Sequence, residues 1–75
     1  MADTIALLDV VALIEDLPEV GLERGQVGTV VEELPPDAFL VEFSDDTGQA
    51  YAIEPVEAPK LMVLKYAPVG EPTWP

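Results

Sequence analysis

Gly25 and Gly28 stand three residues apart at the head of a run, Gln26-Val27-Gly28-Thr29-Val30-Val31-Glu32, that otherwise reads as a β-branched strand. Glycine inside such a run marks a bulge, a tight bend or the close approach of a second backbone, because a side chain at that point would collide or force the chain out of shape. A strand that must bend belongs to a small curved sheet, and bends of this kind are what close five-stranded barrels.

The rest of the chain supplies the partners of that strand. Val10 to Glu15 is β-branched and too short for an ordinary helix, which predicts a first strand. A second strand runs from about Gln26 to Leu34, with Val27, Thr29 and Val31 on one face and Gly28, Val30 and Glu32 on the other. A third strand, Ala38 to Phe43, alternates Phe39, Val41 and Phe43 against Leu40 and Glu42, so its aromatic face is expected to point inward. Gln49 to Glu54 forms the fourth, stopped by Pro55; Val56 to Pro59 has room for one 3₁₀ turn; and Lys60 to Lys65 forms the fifth, closing beside the first. Ile5 to Leu8 reads as a helical turn capped by Asp3 or Thr4. The prolines between strands, Pro18, Pro35, Pro36, Pro55 and Pro59, are turn and edge residues. The prediction is an all-β chain: a five-stranded SH3-like barrel over residues 1–65, and a proline-rich extended or disordered tail over residues 66–75.

Length and charge narrow the function. Seventy-five residues make one domain with one small core. Fifteen acids against Arg24, Lys60 and Lys65 leave a formal charge of −12, which repels DNA, RNA and anionic lipid; direct nucleic-acid binding is not expected. The 49% hydrophobic content separates this acidity from that of a disordered tail. Without cysteine or histidine there is no disulfide, thiol nucleophile or ordinary zinc site, and no window resembles a leader or a membrane span; the cytoplasm is the expected location.

The segments Leu8-Asp9-Val10-Val11-Ala12-Leu13, Leu17-Pro18, Gly21-Leu22-x-Arg24-Gly25-x-Val27-Gly28-Thr29-Val30-Val31, Val41-Glu42-Phe43 and Leu61-x-Val63-Leu64 together resemble the small bacterial family called domain of unknown function 4926. The resemblance covers about residues 5–65 and implies an SH3-like fold and a bacterial origin, with no activity attached. A looser similarity links Gly25-x-x-Gly28-x-Val30-Val31 and the third strand to KOW-type domains of ribosomal and transcription-elongation proteins, although acids here occupy strands and loops where those domains carry Lys and Arg.

Individual residues favour scaffold and binding over catalysis. Asp45, Asp46 and Gly48 read as a capped turn with Gly48 at positive φ rather than a cation loop, since the spacing of an EF-hand is missing. Glu32-Glu33 and Glu15-Asp16 are pairs that composition alone produces, and Ser44 has no histidine to activate it. No catalytic residue, metal or cofactor is assigned.

The loop from Asp16 to Glu23 is long for a hairpin and is the expected carrier of specificity. Its Leu17, Val20 and Leu22 would supply apolar contact, its Glu19 and Glu23 charge, and Arg24 an ion pair, backbone hydrogen bonds or a ligand contact; Trp74 in the tail is a further candidate anchor. Gly25, Gly28 and Gly48 are structural. The reading is a non-enzymatic, acidic protein-binding module for a basic partner, of antitoxin, immunity or accessory type. The alternatives are a KOW-like factor of the transcription or translation machinery and a small accessory subunit of an enzyme; a homo-oligomer formed through strand edges is compatible with each.

Overall fold

A computed structural model describes residues 5–64. The expected tail, with Trp74, and the caps Asp3 and Thr4 lie outside the described residues. The strands β1 (Val10–Leu13), β2 (Val27–Leu34), β3 (Ala38–Ser44), β4 (Ala50–Glu57) and β5 (Leu61–Val63) form one antiparallel sheet in the order β4-β3-β2-β1-β5. All-β structure and the seating of the fifth strand against the first are as expected. Among the described residues β4 and β5 do not pair, so the sheet is open and has two edges where a closed barrel has none.

Alternation decides which side is the core. Val11 and Leu13 of β1, Val30 of β2, Val41 and Phe43 of β3, Val56 of β4 and Leu61 of β5 are buried together, with Phe39, Ala52 and Val63 packed beside them. The aromatic face of β3 therefore points inward. Gly28 is buried in the same layer, and a Cβ there would lie 2.6 Å from Val41 Cγ1, 2.8 Å from the Glu42 carbonyl oxygen and 3.1 Å from Phe43 Cδ1. The glycine is there because β3 has no room for anything larger.

The bend itself falls elsewhere. The β2–β3 register shifts between Val30 and Glu32, leaving Val31 as the extra residue, and the β3–β4 register shifts at Phe43/Ser44, leaving Tyr51 extra. Such bulges increase the local twist and bend the bulged strand. At the second one, Gln26 Nε2 donates to the Tyr51 hydroxyl across 2.9 Å.

Three local expectations need correction. β4 runs through Pro55 to Glu57 instead of stopping at the proline. It is an edge strand bonded only to β3, so the missing N–H need not break any ladder bond. Ile5 to Leu8 is a reverse turn rather than a helical one: the Asp9 carboxylate accepts the Ala6 N–H (2.8 Å), the Asp9 N–H returns to the Ala6 carbonyl (3.0 Å), and Leu8 takes a φ of 71°. A short acidic side chain offering the backbone this local partner competes with helix formation. β1 ends at Leu13 rather than Glu15 because the chain there turns into the covering loop.

Candidate functional site

Between β1 and β2 the chain makes a closed loop. Leu17 and Leu22 form an isolated antiparallel bridge, the Leu17 N–H donating to the Leu22 carbonyl (2.8 Å) and the Leu22 N–H to the Leu17 carbonyl (3.1 Å). A 3₁₀ turn, Pro18–Val20, fills the gap and ends on Gly21 at φ 75°, whose N–H bonds the Pro18 carbonyl. Leu17 and Leu22 keep only 6% and 3% of their surface exposed. This corrects the expectation that they would meet a partner: a sheet one strand-layer thick needs a lid over its apolar face, and these two side chains are part of that lid.

Val20, Glu19, Glu23 and Arg24 remain exposed on the loop. The Arg24 backbone N–H is held by Asp16 Oδ1 at 2.8 Å, while its guanidinium makes no ion pair among the described residues. Ile14, Glu15, Asp16, Glu23 and Arg24 line an open depression of ≈ 450 Å³. The loop rejoins the sheet through Gly25, at φ 95°, whose N–H reaches the Leu13 carbonyl (2.8 Å), and through Gln26, whose side-chain oxygen accepts the Glu23 N–H. Carboxylates dominate this depression, so it suits a cationic group better than an anionic one.

The Asp45 turn is saturated from within. Asp45 Oδ1 accepts the Thr47 hydroxyl (2.6 Å), the Thr47 N–H (2.9 Å) and the Gln49 N–H (3.0 Å), and these bonds hold its carboxyl below the ordinary 3.8. Gly48 sits at φ 88°. Glu32 and Glu33 lie on opposite faces at the end of β2, opposite Leu40 and Phe39 respectively, so their carboxylates do not converge.

Sequence reasoning passed over the other face of the sheet. Register places Met62, Ala12 and Val27 in one row across β5, β1 and β2, and Val10, Thr29, Glu42 and Ile53 in the next across β1 to β4. Met62 (54%), Ile53 (52%) and Val27 (39%) are exposed there. A signal existed: β2 is apolar on both faces, Val27 and Val31 against Val30, and a strand apolar on both sides is one expected to be covered on both.

No curated protein and no solved structure matches the chain. The profile of a family described as a domain of unknown function, DUF4926, matches residues 7–63. That span holds every strand of the described residues, the covering loop and the Asp45 turn. The chain thus belongs to the DUF4926 family.

Proposed function

We propose that this chain is a non-enzymatic protein-binding module of the bacterial cytoplasm that masks the basic surface of a protein partner, as an antitoxin, immunity or accessory protein does. The observation that supports this reading is the charge. Fifteen acids face three bases, and among the described residues one ion pair forms, Lys60 Nζ to Glu57 Oε1 at 3.6 Å. Most carboxylates of the described residues are left to water or to a partner, and such a field steers a cationic protein into contact and repels anionic ones. On the loop, the contact residues reduce to Glu19, Val20, Glu23 and Arg24.

The test is affinity capture from host extract with the full chain as bait, at low and at moderate salt. A basic protein retained at low salt and weakened by added salt is expected; no protein partner under either condition overturns the proposal. Fluorescence anisotropy with RNA and duplex DNA at low salt runs beside it, where electrostatic binding is strongest. No binding is expected, and micromolar affinity would favour the KOW-like reading.

A further inference from the structure

We infer that the partner docks on the outer face of the sheet, with a lysine or arginine meeting Glu42 and apolar side chains covering Ile53, Val27 and Met62. The inference rests on the proposed basic partner and names its docking surface. An antiparallel sheet with one face on the core ordinarily presents polar side chains on the other. Here the outer rows carry exposed Met62, Val27 and Ile53 around Thr29 and Glu42. Exposed apolar side chains on either side of a half-buried carboxylate match a partner surface that mixes apolar and cationic groups.

Charge selects the occupant. Glu42 lies between Thr29 and Ile53 in the register, is half-buried, and makes no side-chain hydrogen bond or ion pair among the described residues. Among the described residues no lysine or arginine belongs to these rows; Arg24 is on the loop and Lys60 is held by Glu57. A second copy of the chain would bring another −12 and the same Glu42-bearing face. A basic protein surface answers both features, since Lys and Arg lay apolar stems on an apolar patch while their heads reach a carboxylate. The loop offers less, because its two leucines are buried and Val20 alone among its large apolar side chains is exposed.

The experiment is a nuclear magnetic resonance titration of the full chain with two short synthetic peptides of equal length, one alternating lysine and leucine and one of lysine alone. The alternating peptide is expected to bind more tightly and to shift Val27, Thr29, Glu42, Ile53 and Met62. Ile53→Ser and Glu42→Lys, both at positions outside the core, should each weaken it about tenfold, while Asp37→Lys and Asp46→Lys, in the exposed turns at either end of β3, leave it within about twofold. Shifts confined to residues 15–24, or indifference to both face variants, would overturn this surface and leave the basic-partner proposal standing. Failure of both peptides to bind would count against both proposals. Self-association through these residues in the absence of peptide, seen by light scattering, would make a second copy the occupant and overturn the inference.

Discussion

Gly28 offers the sharpest test of how this sheet is built. Its missing Cβ would fall 2.6 Å from a methyl of the fully buried Val41 and 2.8 Å from the Glu42 carbonyl oxygen. Neither neighbour yields easily. Val41 is stiff at χ1 and walled in by core, and the Glu42 carbonyl belongs to the backbone of β3, so relief requires β2 and β3 to shift against each other. Overpacking of this kind costs about 1–3 kcal/mol, and a valine adds two methyl groups to the collision. A chain of this length has roughly 4–11 kcal/mol of stability in all, and each kcal/mol moves the midpoint by about 4–8 °C. Gly28→Ala is therefore expected to lower Tm by about 4–24 °C in a circular-dichroism melt, with Gly28→Val at or beyond the far end of that range. Gly25→Ala, at φ 95° with nothing within 4 Å of the added Cβ, isolates the backbone contribution and should cost about 1 kcal/mol. A Gly28→Ala protein that melts with wild type, and loses only partner binding, would refute the packing argument.

Leu22→Ala should remove about 2–4 kcal/mol in urea unfolding because the side chain is part of the core lid; a wild-type midpoint with impaired binding would return Leu22 to the partner surface. Asp16→Ala deletes the acceptor of the Arg24 N–H and should cost about 0.5–1.5 kcal/mol, with faster hydrogen exchange of that amide as the local readout. Asp45 titrates below 3.8 because the Thr47 hydroxyl, then the Gln49 and Thr47 amides, favour its charged form. Its folded value lies under its unfolded one, so its contribution is present above about pH 4 and is lost as pH falls through the folded value. Asp45→Asn should flatten that acid limb, and Thr47→Ala should return the Asp45 carboxyl toward 3.8 in a nuclear magnetic resonance titration; an unmoved carboxyl would show that the hydroxyl is not the main cause.

Much of the fold was legible because strands report themselves locally. The alternation of Phe39, Val41 and Phe43 named the inward face of β3, and Gly48 and Asp45 named their turn, since each signal depends on residues a few positions apart. The proposed docking surface was far less legible. Leu17 and Leu22, five residues apart in an irregular loop, have no periodicity to show which way they face, and only the bridge between them and the sheet beneath turns them inward. Glu42, Ile53, Val27 and Met62 come from four different strands, and no sequence pattern joins them.

By itself the sequence determined that this is a small, acidic, all-β chain with a glycine set inside a strand, where a bulge, a bend or a close backbone approach must be accommodated; the tertiary structure settled on close approach. Composition, alternation and glycine placement carry that much because charge adds without regard to fold and a strand's two faces follow from its period of two. The tertiary structure alone decided that the sheet stays open, that Pro55 can sit within a strand because that strand is an edge, and that the leucines of the long loop belong to the core. It also decided which apolar face was left uncovered. These are matters of register and pairing between segments far apart in the chain, set by which neighbours each strand finds, and no local pattern encodes them.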